Sequence, residues 1–239
     1  MTLLQLCDVH TNIGRYHILH GVDMEVEEGR VAVLLGRNGA GKSTTLRTVM
    51  GLWRVAQGSV SFDAADITRW PTSAIARAGI GYVPEDMGIF TGLKVRENME
   101  IAAHSGPMDE ARLEWIFGLF PALKKFWQTP AGALSGGQKQ MLAVARAIIE
   151  PRRLLLVDEP TKGLAPAIIG HMLDAFAELK RQAVTILLVE QNFHFAKSLG
   201  DSVYIIDDGK IVHRSTMTDL VADDATQRQH LGLSLGVHQ

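Results

Sequence analysis

The sequence predicts an α/β fold interrupted by a mostly helical insert. Three observations predict it. The apolar run Val31–Leu35 is followed by a glycine-rich loop and a helical pattern over residues 42–50, the opening of a strand–loop–helix unit. Residues 94–150 switch to helical periodicity, punctuated by Pro107, Pro121, Pro130 and Gly132. The final third returns to alternating strands and helices.

Taken in order, the first third reads as short strands. Val22, Met24 and Val26 alternate with Asp23, Glu25 and Glu27, the pattern of a half-buried strand. Gly51 is a stop for the helix over residues 42–50. Helices are expected over residues 96–104, 109–120 and 138–149. Residues 154–157 and 184–189 read as short buried strands. Between them, Pro166–Arg181 sets Ile168, Ile169, Met172, Leu173, Phe176 and Leu179 on one helical face. Strands over 203–206 and 211–213 flank Asp208-Gly209, a strong hairpin signal.

Composition narrows the class. The chain has 239 residues, 46% apolar and 21% charged, enough to bury a core and unlike a disordered chain. Net charge is 24 − 26 = −2, so no global basic field argues for a nucleic-acid partner. A lone cysteine, Cys7, excludes a disulfide framework. No apolar run reaches the roughly 20 residues of a membrane span, and the first residues lack a secretory signal pattern. The expectation is a cytoplasmic protein that meets any membrane through partners.

Gly36-Arg37-Asn38-Gly39-Ala40-Gly41-Lys42-Ser43 matches G-x-x-x-x-G-K-[ST], and Thr44 continues it into the helix. Glycines let the chain wrap a phosphate at backbone distance. The amides then point inward at the positive end of the following helix. Lys42 can reach the β- and γ-phosphates and Ser43 can hold Mg²⁺. Residues 154–157 lead to Asp158 and Glu159. A buried parallel strand delivers such residues to the ligand crevice. Asp158 is placed for Mg²⁺, and Glu159 to orient or deprotonate the attacking water. Leu134-Ser135-Gly136-Gly137-Gln138 precedes a helix, and can present a hydroxyl and N–H groups to an anion. Alone, this segment would read as a glycine-rich helix cap.

With these three motifs in this order, the chain resembles the ATP-binding cassette (ABC) ATPases over essentially its whole length. The resemblance implies a P-loop NTPase (RecA-like) core with an antiparallel β subdomain and an inserted helical subdomain. A single domain, 1–239, would have its core at about 1–90 and 151–239 and the helical part at about 91–150. It also implies ATP sandwiched head to tail between two cassettes, so that Ser135, Gly136, Gly137 and Gln138 serve a neighbour's nucleotide. Residues 79–85, 163–166 and 189–192, with the ending His230-Leu231-Gly232-Leu233, look like the LivF-type ATPases of branched-chain amino acid importers. Such subunits work with a second ATPase subunit, two membrane permeases and an external solute-binding protein at the cytoplasmic face of the inner membrane. Other importer branches carry urea, amides or aromatic acids. A soluble ABC ATPase outside transport and a non-hydrolysing regulatory subunit are the rival classes.

The chain departs from the general family pattern at four places. Ile13 occupies the position of the usual adenine-stacking aromatic; either Tyr16 nearby substitutes, or Ile13 packs on the base without a ring and Tyr16 is an ordinary half-buried surface residue. Glu85 stands where a glutamine is usual, Gln191 where a histidine is usual, and Ala165 where an aspartate is usual. The LivF-type branch shares the last three. Gln191 can donate a hydrogen bond to the γ-phosphate but does not titrate near neutral pH. Glu85 adds negative charge and can bind Mg²⁺ or its water. The histidines form no spaced ligand pair, and His17 and His20 read as solvated or partly packed. Met99, Met141 and Met172, and most of Trp115, Phe117, Phe120 and Trp127, are expected in the core. Arg152-Arg153 reads as a solvated turn.

Overall fold

The structure, a computed structural model, describes residues 1–103 and 106–232. His104, the expected end of one helix, and Leu233 of the C-terminal motif lie outside the described residues. Among the described residues ten strands run in chain order: β1 (Thr2–Ile13), β2 (Tyr16–Glu27), β3 (Val31–Leu35), β4 (Val55–Phe62), β5 (Ala65–Asp66), β6 (Ile80–Val83), β7 (Leu154–Asp158), β8 (Thr185–Glu190), β9 (Ser202–Asp207) and β10 (Lys210–Thr216). The main helices are α1 (Lys42–Val49), α2 (Thr72–Arg77), α3 (Val95–Ala102), α4 (Glu110–Leu119), α5 (Pro121–Lys125), α6 (Gly136–Ile148), α7 (Pro166–Arg181), α8 (Phe193–Leu199) and α9 (Met217–Ala222).

The strands form two sheets. One has the order β10-β9-β3-β8-β7-β6, parallel except for the β9–β10 hairpin. The other, β2-β1-β4-β5, is antiparallel. Consecutive residues of β3 serve opposite cores: Val31, Val33 and Leu35 join one apolar cluster, Ala32 and Leu34 the other. β7 and β8 divide in the same way. A parallel sheet covered on both faces therefore needs apolar residues at every position, which is why these strands read as unbroken runs. The first cluster packs under α3, α4, α6, α7 and α8, the second against α1 and the antiparallel sheet. Helices α3 to α6 all fall between β6 and β7. Among the described residues no helix is long and apolar enough to cross a membrane.

Several expectations need correction. The opening strands are long, not short: β1 and β2 have 12 residues each. Register shifts near Asp8, where φ is 48°, break the two-residue alternation and hide their length. Pro121 does not end a helix so much as start one, at the first position of α5, where its missing N–H has no partner to lose. Arg152 is not solvated. Its side chain is 11% exposed, pairs with Glu150 at 3.3 Å and donates to the Ala147 and Ala76 carbonyls. Its neighbour Arg153 pairs with Asp63 and Glu28. His17 is exposed and His20 half-buried, in line with the solvated or partly packed reading; His10 Nδ1 lies 3.0 Å from His17 Nε2, and the His17 and His20 rings are 4.2 Å apart. The three methionines are buried as expected. Phe117 and Phe120 are buried too, while Trp115 and Trp127 are half-buried.

Candidate functional site

The site is built at the C-terminal ends of β3, β6, β7 and β8. After Leu35 the chain turns at Gly36, where a Cβ would fall 2.3 Å from the Ile206 carbonyl oxygen, so no side chain fits. Gly39 and Gly41 have φ of 81° and 110°, the left-handed region that favours glycine. Gly41 then caps α1, whose first N–H groups face the loop.

Lys42 folds back over this loop. Its Nζ donates to the Gly36 and Arg37 carbonyls at 2.9 and 3.1 Å. It also lies 3.3 Å from Glu159 Oε1, with both side chains buried. Ser43 Oγ donates to Asp158 Oδ1 at 3.0 Å, joining the phosphate loop to the end of β7. The other oxygen, Asp158 Oδ2, is buried and has no hydrogen-bond partner. Burial pushes the Asp158 carboxyl up to about 6, against the Ser43 hydrogen bond and with help from nearby Glu159 and Glu85. An orphaned, desolvated carboxylate oxygen beside a serine hydroxyl suits a hard divalent cation, which takes oxygen ligands and favours the ionised form.

Glu159 follows with φ of 47°, a conformation few non-glycine residues adopt. Its N–H donates to Val189 O at 2.9 Å, holding the turn against β8. Its Oε1 accepts from Gln191 Nε2 at 2.6 Å, and the same Gln191 nitrogen donates to Asn38 Oδ1 at 2.5 Å. Beneath lies a carboxylate the sequence reading missed. Glu190 is buried at the end of β8. Its Oε1 accepts from Thr161 N and Oγ1, its Oε2 from the Gln191 and Asn192 N–H groups, at 2.7 to 3.1 Å. Burial pushes its carboxyl up, opposed by those four donors. A charged residue closing an otherwise apolar strand was the available signal. Lys162, also missed, lies three positions beyond Glu159 and reaches Glu85 Oε1 at 2.5 Å.

One cleft of about 170 Å³ is lined by Asn38, Gly39, Gly41, Lys42, Ser43, Thr44, Glu85, Glu159 and Lys162. Gly36, Glu190 and Gln191 line a neighbouring cavity that shares Asn38, and Asp158 is fully buried against Ser43. Ala40 is buried within the loop. Two further groups of expected residues lie apart from both cavities. Ile13 and the 61% exposed Tyr16 pair across the tip of the β1–β2 hairpin, where Arg15 covers the Tyr16 ring. Ser135 caps α6: its hydroxyl accepts from Gln138 N, and Gln138 Oε1 accepts from Ser135 N. Gly137 is glycine for a packing reason, since a Cβ would lie 2.6 Å from Ile168 Cγ2, whereas Gly136 faces open space. Within one chain, therefore, the segment 134–138 is outside the cleft.

Comparison with known proteins agrees with this geometry. Residues 19–162 match the ABC transporter family. The chain is similar to the high-affinity branched-chain amino acid transport ATP-binding protein BraG of Pseudomonas aeruginosa, 38% identical over 96% of this chain and 100% of that protein. It is similar to the probable branched-chain amino acid transport ATP-binding protein LivF of Archaeoglobus fulgidus, 32% identical over 97% of this chain and 99% of that protein. Among solved structures, the ADP conformation of MJ1267, an ATP-binding cassette of an ABC transporter, superposes with a TM-score of 0.79 at 26% identity, covering 94% of this chain and 96% of that one. A phosphate loop, an acidic strand end and a glycine-capped helix thus sit in the fold that the family uses for nucleotide, and the chain belongs to the ABC transporter family as an ATP-hydrolysing, ATP-binding subunit.

Proposed function

We propose that this subunit energises import of branched-chain amino acids or related small solutes. The observation that carries the reading is the convergence of Lys42, Ser43 and Glu159 in one cleft, with Asp158 bonded to Ser43, in a chain similar along nearly its whole length to two branched-chain amino acid transport proteins. The phosphates lie on the amides of residues 36–44, with Lys42 against the terminal ones. Ser43 and Asp158 would hold Mg²⁺, and Glu85 would bind it or its water. When bound, Mg²⁺ supplies neutralisation of phosphate charge. Glu159 orients the water and takes its proton, and Gln191 fixes the Glu159 carboxylate while offering an N–H toward the γ-phosphate. The adenine end belongs at the β1–β2 tip, at Ile13 or Tyr16.

The Ser135–Gln138 cap, exposed at Ser135 and Gly136, completes the nucleotide site of a second cassette, a sister chain or another copy. The RecA-like core is assigned to residues about 1–90 and 151–239, and the helical subdomain to about 91–150. That helical part, with the Glu85 loop, would carry motion to two permeases. An external binding protein would deliver the solute, and the subunit would sit peripherally at the cytoplasmic face of the inner membrane. Nucleotide drives such motion only by binding the closed pair more tightly than the open one. The test is co-purification with the permeases from its own transport operon, followed by nucleotide-dependent uptake in vesicles. Uptake of branched-chain amino acids that fails with Glu159→Gln supports the reading. Permease-free purification with full-speed hydrolysis contradicts it.

A further inference from the structure

Lys162 has a place in the cleft that the reading so far does not use. It sits in the loop from β7 to α7, and its ammonium lies 2.5 Å from Glu85 Oε1 and 3.7 Å from Glu159 Oε2. Glu85 follows β6, so this ion pair ties the ends of two neighbouring strands across the cleft mouth. The Lys162 side chain is 57% exposed. Exposed pairs of this kind contribute little to folding, so fold stability is not a sufficient reason for it.

Charge supplies a better one. Two carboxylates, Glu159 and Glu85, line the cleft, and a third, Asp158, is buried against Ser43. Lys42 is engaged by Glu159 and by two carbonyls. Lys162 is the cation in contact with Glu85. Without it, Glu85 would present an uncompensated negative charge to an incoming polyphosphate, whose several negative charges multiply the repulsion. A neutral glutamine at position 85 would need no such counter-ion.

Resting on the nucleotide reading above, we infer that Lys162 is a positioning residue of the nucleotide site. It neutralises Glu85 and holds it against the cleft wall, so that a negatively charged nucleotide can enter. The two residues act as a matched pair.

The test is a double-mutant cycle on the full chain: wild type, Lys162→Ala, Glu85→Gln and the double variant, with Lys162→Arg as the conservative control. Calorimetric affinity for ADP and for a slowly hydrolysed ATP analogue is read with and without Mg²⁺, beside kcat and KM. Lys162→Ala is expected to weaken nucleotide binding about tenfold. It should raise KM more than it lowers kcat. The double variant should return to within about threefold of Glu85→Gln alone, because the charge needing compensation is gone. Lys162→Arg should bind like wild type. Lys162→Met keeps the apolar stem and replaces Lys162→Ala should the latter fold poorly. Affinity unchanged in Lys162→Ala, or equally weakened with and without Glu85→Gln, overturns the inference. That failure is distinct from failure of the site: a wild type that binds nucleotide and a Lys42→Ala variant that does not leave the site standing, whereas a wild type that binds none removes both.

Discussion

The side-chain amide of Gln191 donates to the Glu159 carboxylate across 2.6 Å, linking the ends of neighbouring strands β8 and β7. The contact is possible because Glu159 turns into the left-handed region at φ 47° while its N–H stays bonded to Val189. Below it, Glu190 ties Thr161 to Gln191, joining the two loops through one buried carboxylate. An amide has no proton to lose near neutral pH, so this orientation of Glu159 does not depend on the charge of its partner.

Replacing Glu159 by Gln preserves an oxygen for the Gln191 amide but removes the base. Nucleotide binding is expected to persist, because the change frees Lys42 from its 3.3 Å ion pair and removes a negative charge. Steady-state turnover should fall about a hundredfold or more, the usual loss for a general base. Equilibrium binding and phosphate release measured on the same preparation check this. Turnover near the wild-type rate would exclude Glu159 as the base.

Asp158 makes stability depend on pH. Its folded pKa, about 6, lies well above the ordinary 3.8 of an aspartate in water. The folded chain therefore holds this proton more tightly than the unfolded chain. The contribution is fully present below about pH 4 and is lost as pH rises through about 6. Its size is on the order of 2 to 3 kcal/mol at most. Metal-free wild type should lose Tm relative to Asp158→Asn between about pH 4 and pH 7. Mg²⁺ should recover that loss at the upper end in wild type alone. Parallel Tm profiles for the two proteins would show that Asp158 carries no such shift.

The start of α6 gives a prediction about packing. A Cβ at Gly137 would lie 2.6 Å from Ile168 Cγ2 on α7, and a β-branched side chain in a helix has little room to turn away. Gly137→Ala is expected to destabilise the fold by about 1 to 3 kcal/mol. Adding Ile168→Ala should restore part of it. Urea unfolding of both variants measures this, and a neutral Gly137→Ala would mean that the helices part easily.

Much of this was legible in the sequence where local and tertiary demands coincide. β3, the phosphate loop and α1 follow one another because a strand buried on both faces must be apolar throughout and the loop must be glycine-rich. Asp208 and Gly209, with φ of 44° and 72°, form the expected hairpin turn. The α6 start was read two residues late, since Gly136 and Gly137 have poor helix propensity while the Ser135 cap and Ile168 packing decide the matter. Lys162 and Arg152 were invisible for another reason. Each acts through partners distant in sequence: Glu85 in one case and the Ala76 carbonyl in the other. A charged residue in a single sequence carries no mark of such a partner.

The central claim is that residues 36–44, with Asp158, hold a Mg-nucleotide. Calorimetric titration of Mg-ATP into the Glu159→Gln protein, with and without Lys42→Ala, tests it most directly. The account predicts saturable binding at one nucleotide per chain and at least a tenfold loss of affinity with Lys42→Ala, the result of removing a charge-assisted contact to phosphate. No binding to the parent protein, or the same affinity in both, would contradict it.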